Sequence, residues 1–531
     1  MYFNSRRSAI HAKHGMVATS QPLASMAGLR MLMNGGNAID AAVATAAALN
    51  VVEPMSTGVG GDLFSLIWLA KEKRVVALNA SGRAPAAAAI EDVIKAGHTS
   101  IPNTSAFAVS VPGTVNGWDT ILREYGTMPL SEVMKPAIRY AEEGFPVSDI
   151  VAYQWQRDVE KLKLHPSGNE MLLNGDAPSE GDIFYMPNLA KVLRGIAEGG
   201  PKAFYNGEVA EKIARYIQEL GGWMTTEDLA NDAPTWDEPI STDYRGVTCW
   251  ECPPNGQGLI ALLAMNIVEG MDIRGMGFQA PETYHHMIEA MRLSFADGLQ
   301  YIADPRKNYV PIEELLSKSY AQERRGLINR DRAMPSVGFG KIPAIHDTVY
   351  LSAVDEEGNA CSFINSLFAG FGSGLVVPGT GIALQNRAAL FSLNPDHPNA
   401  LVPGKRPFHT IIPAMATKDD ELWLSYGVMG GFMQAQGHLQ VISNMVDFNM
   451  GPQQAIDALR FSVGFDGDVT LEEEVDPAVI KGLEDKGHTV SLREGYSRVT
   501  MGGAQVIERN PETGVLTGAS EPRKSGSAVG W

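Results

Sequence analysis

The sequence is poor in cysteine and in long apolar runs. Only 3 of its 531 residues are cysteine, too few for the disulfide framework of a small secreted protein. The longest apolar stretch, residues 41–52, is too short to cross a bilayer. Residues 1–18 lack the apolar core of a secretory signal. We therefore expect a cytoplasmic protein with reduced thiols and no membrane partner.

Positive charge is also scarce. The chain has 43 Lys and Arg residues against 61 Asp and Glu residues, a net charge of −18 without a local basic stripe. Because neutralisation of phosphates provides most nucleic-acid affinity, this balance argues against a nucleic-acid partner. Hydrophobic residues at 44% and charged residues at 20% describe an ordinary globular protein rather than a disordered one.

Several catalytic and metal-binding motifs are absent. The chain has no G-x-S-x-G, no phosphate-binding or dinucleotide-binding glycine motif and no H-E-x-x-H. Cys249 and Cys252 form one C-x-x-C without a second pair, which we interpret as two thiols at a strand end rather than a zinc or redox site. His285 and His286 are adjacent on a predicted helix and point about 100° apart, so we interpret them as structural rather than metal-binding. No metal or cofactor is expected.

Hydrophobic periodicity predicts a helical first part and a second part that begins as a sheet. The segment 306–347 is polar and is predicted to be a loop with one helix. The main helices are predicted over 23–33, 38–52, 117–126, 130–144, 189–200, 209–222, 283–305 and 432–448. The main strands are predicted over 63–70, 75–81, 348–355, 360–368 and 421–428.

Thr348 is the candidate nucleophile, because it lies where the polar segment ends and the next strand begins. Cleavage between Asp347 and Thr348 would make Thr348 an N-terminal residue. Its hydroxyl would then lie beside a free α-amine, a base with a reference pKa near ~8. An isolated Asp-Thr pair is more commonly an ordinary strand end, and this alternative stays open on the local sequence alone.

Gly430 and Gly431 are candidates for an oxyanion hole. They follow a predicted strand and precede a helix, so their N–H groups lie at a helix N-terminus. Glycine also allows a substrate to approach the backbone closely. Taken alone, such a pair is more commonly a tight turn, and this alternative stays open on the local sequence.

Eight segments, in this order along the chain, resemble the γ-glutamyltransferase family of N-terminal-nucleophile hydrolases. The resemblance extends over essentially the whole length of the chain, and a chance match of eight segments in family order is not credible. The segments are GMVATSQPLASMAGLRMLMNGGNAIDAAVATAAALNVVEPMSTGVGG, SVPGTVNGW, YRGVTCWECPPNGQG, EAMRLSFADGLQYIADP, DTVYLSAVDEEGNA, FGSGLVVPGTGIALQNR, GKRPFHTIIPAM and GVMGG.

The resemblance implies an α/β fold, a four-layer αββα sandwich, and a precursor that cleaves itself. Residues 1–347 would form the large subunit and residues 348–531 the small catalytic subunit, together one compact fold. The two fragments would form a heterodimer, which can pair further as a dimer of heterodimers. By resemblance, Thr348 is the nucleophile, Ser366 supports its hydroxyl, and Gly430 and Gly431 form the oxyanion hole.

The sequence departs from the family pattern at positions where family members bind the substrate. Ile90 stands where γ-glutamyltransferases have a carboxylate-binding Arg. Arg387 and Leu390 stand where they have a Gln and an Asp that hold the substrate α-amine. His409 and Thr410 stand at the positions of a Ser-Ser pair, and the segment that forms a lid in some members is shortened. The α-amine pocket is therefore rebuilt around a guanidinium group.

Arg387 suits bidentate binding of a carboxylate. The alternative for a lone arginine such as Arg387 is a surface salt bridge. Arg83, on a neighbouring family segment, is a second candidate for substrate binding. The chain is similar to oxamate amidohydrolase-like and acylase-like members rather than to glutathione-degrading ones. We expect hydrolysis of a small carboxylate-bearing amide through an acyl-enzyme. The alternatives are γ-glutamyl transfer or glutathione hydrolysis, and an unprocessed non-catalytic scaffold.

Overall fold

Two large antiparallel sheets form the centre of the protein. The computed structural model describes residues 7–335 and 347–531. Sheet I contains, from edge to edge, the strands Ser527–Gly530, Met16–Thr19, Asp347–Val354, Ala360–Phe368, Asp62–Leu69, Arg74–Ala80 and Thr235–Asp237. Sheet II contains the strands Ile10–Ala12, Leu516–Ser520, Gly503–Arg509, Glu421–Met429, Ala414–Lys418, Val247–Glu251 and Ile240–Tyr244.

Helices account for most of the remaining regular structure. The α-helices of the described residues are Pro22–Met33, Ala38–Val52, Ile90–Lys95, Thr114–Tyr125, Leu130–Val133, Lys135–Glu143, Asp149–Gln156, Val159–Leu162, Pro187–Gly199, Lys202–Tyr205, Glu208–Glu219, Thr226–Asn231, Gly258–Glu269, Ile273–Met276, Pro281–Tyr301, Ile312–Leu316, Lys318–Arg325, Met433–Val446, Pro452–Asp457 and Pro477–Asp485. Short 3₁₀ helices cover Ala106–Ala108, Pro166–Met171, Arg387–Leu390 and Gly495–Met501. Small sheets are formed by Phe145–Pro146, Ile183–Phe184, Val376–Val377, Ile382–Ala383, Phe461–Val463, Val469–Glu472 and Val490–Arg493.

Three apolar cores separate four layers. Successive side chains of a strand point to opposite faces, so Phe363 joins the core under helix Ala38–Val52, whereas Ile364 joins the core between the two sheets. A third core lies on the other face of sheet II, under helices Gly258–Glu269 and Met433–Val446. The layers run helix, sheet, sheet, helix, which confirms the predicted αββα sandwich.

The helix Ala38–Val52 has the predicted bounds because its ends are fixed locally. The Asn37 side chain accepts hydrogen bonds from the N–H groups of Ile39 and Asp40, and the Asp40 side chain accepts one from Asn37 N–H. This reciprocal arrangement is a capping box. Every residue of the helix is buried, as its apolar composition predicts.

Two local predictions are wrong. A single helix over 130–144 is divided into Leu130–Val133 and Lys135–Glu143, because Pro136 has no N–H to continue the helical hydrogen bonds. The segment 306–347 contains two helices, Ile312–Leu316 and Lys318–Arg325, rather than one. Ser317 has extended backbone angles between them and caps the second through Tyr320 N–H. Residues 336–346 of this segment lie outside the described residues.

The cysteines of the C-x-x-C and the histidine pair lie in the protein interior. Cys249 and Cys252 are buried free thiols. His285 forms hydrogen bonds of 2.7 Å to His488 and 2.8 Å to the carbonyl of Asn329. In the described residues, no group of three or more His, Cys, Asp or Glu side chains is arranged to hold a metal ion. No helix of residues 7–335 or 347–531 is both long and apolar enough for a membrane span.

Candidate active site

Thr348 lies at an irregularity in the pairing of two central strands of sheet I. Asp347 pairs with Phe368 and Val349 with Asn365, so the single residue Thr348 faces two residues on the neighbouring strand. Such β-bulges re-aim side chains and are frequent beside active sites. Thr348 is buried, and its Oγ1 lies 3.0 Å from Ser366 Oγ. The structure therefore brings the predicted nucleophile and its predicted supporting hydroxyl into contact.

Ser366 receives further hydrogen bonds that fix its orientation. The N–H of Phe368 donates to Ser366 Oγ at 2.9 Å, and Nη2 of Arg387 donates to it at 3.3 Å. Phe368 has a φ of +80°, an uncommon value for a residue with a side chain. Because Ser366 accepts both donors, it can donate its own hydrogen to Thr348 Oγ1.

Arg387 is a fully buried cation beside the two hydroxyl groups. Its Nη1 donates to Thr410 Oγ1 at 2.7 Å, and its guanidinium carbon lies 4.4 Å from the centre of the Phe368 ring. Its Nε is 3.8 Å from Asp62 Oδ2 and has no hydrogen-bond partner among the described residues. Each terminal nitrogen carries two hydrogens and uses one of them in these bonds, so the guanidinium retains donors for a ligand.

Asp62 is the buried counter-charge of this cluster, and sequence reasoning missed it. Its Oδ2 lies 2.9 Å from His409 Nε2, and its Oδ1 accepts hydrogen bonds of 2.9 Å from Gly82 N–H and from Gln385. His409 Nδ1 accepts from Ile411 N–H, so Nε2 carries the ring hydrogen and donates to Asp62. One carboxylate thus contacts both His409 and Arg387, two of the residues at which the sequence departs from the family pattern.

Burial shifts the pKa values of all three ionisable groups. It raises the pKa of Asp62 to about 7, although Arg387 acts in the opposite direction. It lowers the pKa of His409 well below its ordinary value, and the charge of Arg387 adds to that shift. It lowers the pKa of Arg387 to about 9, while Asp62 opposes the change. At neutral pH, His409 is therefore neutral and Arg387 is charged.

Gly430 and Gly431 form the connection between strand Glu421–Met429 and helix Met433–Val446, as predicted. Their φ values are +126° and +57°, in the region that favours glycine. Among the described residues, their N–H groups donate to no backbone carbonyl outside the sheet ladder. Nε2 of Gln257 donates to the carbonyls of Gly431, at 2.8 Å, and of Thr410, at 2.6 Å.

A continuous hydrogen-bonded path therefore joins the glycine connection to the nucleophile. Its members, in order, are Gly431, Gln257, Thr410, Arg387, Ser366 and Thr348. Gln257 was not identified from the sequence, because a glutamine in a Pro- and Gly-rich segment resembles an ordinary loop residue. A signal for Asp62 was present, since a carboxylate at the start of an apolar strand needs a buried partner.

Arg83 does not share this path. Its Nη1 pairs with Asp232 Oδ1 at 2.7 Å and also donates to the carbonyl of Ala233. Arg83 lines a cavity of about 360 Å³ together with Val111, Asp228 and other residues. It lies next in the chain to Gly82, which binds Asp62, but its guanidinium is engaged elsewhere. Its role in substrate binding stays a prediction.

Comparison with known proteins identifies the family. The profile of the γ-glutamyltranspeptidase family matches residues 24–531. The chain belongs to the γ-glutamyltranspeptidase family. The glutathione hydrolase-like YwrD proenzyme of Bacillus subtilis (strain 168) is 39% identical over 537 residues, which cover 99% of each chain. The oxamate amidohydrolase proenzyme of Klebsiella pneumoniae is 37% identical over 530 residues, which cover 98% of each chain.

A solved structure supports the same family assignment. The crystal structure of cephalosporin acylase from Bacillus halodurans superposes with a TM-score of 0.93 at 44% identity, over 100% of this chain and 98% of the acylase. The predicted membership of the γ-glutamyltransferase family is confirmed, and so is the N-terminal-nucleophile hydrolase fold. The chain is accordingly an enzyme of the amide hydrolase and acyltransferase class.

Proposed function

We propose that this member of the γ-glutamyltranspeptidase family is a self-processing amidohydrolase that uses Thr348 as its N-terminal nucleophile. The observation that carries the proposal is the 3.0 Å contact between Thr348 Oγ1 and Ser366 Oγ, with Arg387 bound to the same serine. A nucleophile, a supporting hydroxyl and a cation for a substrate carboxylate thus lie together. The proenzyme names of both curated relatives support a processing step.

Processing creates the catalytic base. In the intact chain, the nitrogen of Thr348 belongs to a peptide bond and cannot act as an amine. Attack of the Thr348 hydroxyl on the carbonyl of Asp347 would exchange that peptide bond for an ester, and water would then hydrolyse the ester. The products are fragments 1–347 and 348–531, and the second begins with a free α-amine. The association of the two fragments as a heterodimer, and of two heterodimers as a dimer, remains a prediction. The cytoplasmic location remains a prediction as well.

The catalytic cycle follows from these groups. The α-amine of Thr348 accepts the hydroxyl proton while Oγ1 attacks the substrate carbonyl. The N–H groups of Gly430 and Gly431 stabilise the negative oxygen of the tetrahedral intermediate. The leaving amine takes the proton from the α-amine as the carbon–nitrogen bond breaks. Water, deprotonated by the same amine, then attacks the ester and releases the acid.

Arg387 favours an acyl group that bears a carboxylate and no α-amine. A substrate ammonium would be repelled by the guanidinium, and Leu390 offers no charge to hold it. Under this proposal Thr410, which accepts from Arg387, and His409 would line the substrate pocket, with Arg83 as an outer candidate. Asp62 offsets part of the Arg387 charge and so weakens this attraction, but the guanidinium still favours a compact anion such as oxamate over a zwitterionic γ-glutamyl group.

We expect Arg387→Gln to raise KM for a carboxylate-bearing amide and to change kcat less. A charge pair at ~4 Å is worth up to ~4 kcal/mol at an effective dielectric near 20, and a quarter of that corresponds to about fivefold. The measurement is kcat/KM for oxamate or a glutaryl amide against γ-glutamyl-p-nitroanilide. Arg387→Lys serves as the control that keeps the charge without the planar fork. Arg83→Gln, measured in parallel, tests the outer candidate.

A wild-type preference for the γ-glutamyl compound, unchanged by Arg387→Gln, would favour a γ-glutamyl hydrolase or transferase instead. The name of the Bacillus subtilis relative, glutathione hydrolase-like, makes this the second candidate function. A chain that stays whole on a denaturing gel and hydrolyses none of these amides would favour a non-catalytic scaffold.

We expect inhibition by oxalate to weaken as the pH rises through about 7. Burial raises the pKa of Asp62 to about 7, so below this pH the protonated side chain leaves the Arg387 charge uncompensated. Above it the carboxylate offsets that charge, and the inhibition constant should rise by about fivefold, for about 1 kcal/mol of lost attraction. The measurement is the oxalate inhibition constant between pH 5.5 and 8.5.

Asp62→Asn is the control for this pH dependence. The α-amine of Thr348 also titrates in this range, and its contribution remains in the variant. The difference between wild type and Asp62→Asn therefore reports the carboxylate, most directly below pH 8, where Arg387, with a pKa of about 9, stays charged. Identical pH profiles for the two proteins would contradict the prediction.

A further inference from the structure

The strand that leads to Gly430 extends beyond its neighbour in sheet II. Ala414 pairs with Tyr426, and the strand Ala414–Lys418 begins at that point. Val428, two residues further along, therefore has no strand on that side to accept its N–H. The acceptor is instead Nε2 of His438, at 3.1 Å, from helix Met433–Val446. A side chain thus replaces the missing ladder bond next to the glycine connection.

His438 is held in turn by Glu251. Its Nδ1 lies 2.6 Å from Glu251 Oε1, and both side chains are completely buried. Because Nε2 accepts from Val428, the ring hydrogen is on Nδ1 and is donated to the carboxylate. Glu251 ends strand Val247–Glu251 and pairs with Ala414, so the two side chains bridge the end of sheet II.

The connection of residues 429–432 is fixed at further points. The N–H of Met433 donates to the carbonyl of Gly430 at 3.0 Å, and Gln257 binds the carbonyl of Gly431. Gly437 allows the helix to lie directly on the strand, since a Cβ there would come within 2.6 Å of Val428 Cγ1. The His438 bond to Val428 is the anchor on the strand side of the connection.

We propose that Glu251 and His438 are positioning residues that set the direction of the Gly430 and Gly431 N–H groups. The inference rests on the proposed function, because it assigns those N–H groups to the oxyanion hole. A buried carboxylate that is bound by a neutral imidazole is weak support for stability alone, since its desolvation offsets much of the attraction. Glu251 Oε2 has no hydrogen-bond partner in the described part of the chain. Among those residues, the carboxylate is therefore bound through Oε1 to His438 alone.

The test compares His438→Ala and Glu251→Ala with the wild-type enzyme. Displaced oxyanion donors affect the transition state, so we expect kcat to fall about tenfold or more with KM within about twofold. Hydrogen exchange of the amides in 428–432 should become faster. Glu251→Gln keeps an acceptor for His438 Nδ1–H and should restore slow exchange and most of kcat.

Asp447→Asn provides a matched control at the other end of the same helix. Asp447 accepts a 2.6 Å hydrogen bond from Tyr244 and pairs with Arg245 at 2.6 Å. It also joins the helix to sheet II, but far along the helix from the glycine connection. This variant should lower the unfolding temperature without changing kcat or the exchange of residues 428–432.

The outcomes separate the two proposals. Unchanged kcat and unchanged exchange in both alanine variants of an active enzyme would overturn the positioning role. Equal kcat losses in Asp447→Asn and His438→Ala would overturn it as well, because the effect would then be general destabilisation. If the wild-type protein hydrolyses no amide, the proposed function fails. Exchange at 428–432 then still decides whether the pair fixes this connection.

Discussion

Replacement of Thr348 by alanine should leave a single uncleaved chain of 531 residues without amide-hydrolysing activity. The variant lacks the hydroxyl that would attack the carbonyl of Asp347, and the α-amine would never form. Removal of the attacking residue typically leaves only the small acceleration that binding and the oxyanion hole provide. The measurements are a denaturing gel, N-terminal sequencing of the smaller wild-type fragment, which should begin TVYLSAVD, and turnover of the preferred amide.

Two further variants make the result specific. Thr348→Ser keeps a hydroxyl and should restore cleavage at a reduced rate. Ser352→Ala removes another buried hydroxyl from the same strand, one that donates to Ser425 at 2.6 Å, and should leave cleavage intact. A fully active intact wild-type chain, or cleavage of Thr348→Ala at the same bond, would contradict the mechanism.

Gly430→Val and Gly431→Val should each lower kcat by about 10²–10³, the usual effect of losing one oxyanion donor. Both glycines have positive φ values, so a branched side chain forces the N–H groups to turn and obstructs the substrate. A Cβ on Gly430 would also lie 3.2 Å from Gly502 Cα. The measurements are kcat and KM on cleaved protein, with the unfolding temperature recorded in parallel.

Gly514→Val is the matched control for backbone strain. Gly514 has a φ of +72°, and a Cβ there would meet no atom within 4 Å. It lies between strands Gly503–Arg509 and Leu516–Ser520, outside the candidate active site. This variant should share the strain and the small stability loss but keep its kcat. Near-normal turnover in both Gly430→Val and Gly431→Val would mean that other donors stabilise the oxyanion.

The sequence predicts this fold best where one segment determines its own structure. The helix Ala38–Val52 carries its cap in Asn37, and the strand Ala360–Phe368 has the predicted bounds. Sheet order is different, because strand Asp347–Val354 pairs with Met16–Thr19, more than 300 residues away. No local pattern specifies that partner. Each sheet combines local hairpins, such as Asp62–Leu69 with Arg74–Ala80, with pairings between strands from distant parts of the chain.

The residues of the candidate site likewise fall into a group that was predicted from the sequence and a group that was missed. Thr348, Ser366 and Arg387 were predicted from family motifs, and the structure brings them together. Asp62 and Gln257 were missed because their roles depend on residues far along the chain. Asp62 lies 347 positions from His409, and Gln257 acts through two backbone carbonyls. Such contacts exist only once both sheets are assembled.

The mixed origin of the two sheets bears on how a cleaved enzyme would stay together. Sheet I has four strands from residues before 347 and three from residues 347–531, and sheet II has three and four. A cut before Thr348 would therefore produce two polypeptides that share the hydrogen bonds of both sheets and the apolar cores. Neither piece contains a complete sheet, so dilution would not part them without unfolding both. Under the proposed mechanism, synthesis as one chain with cleavage after folding would ensure that each small fragment is assembled with its own large fragment.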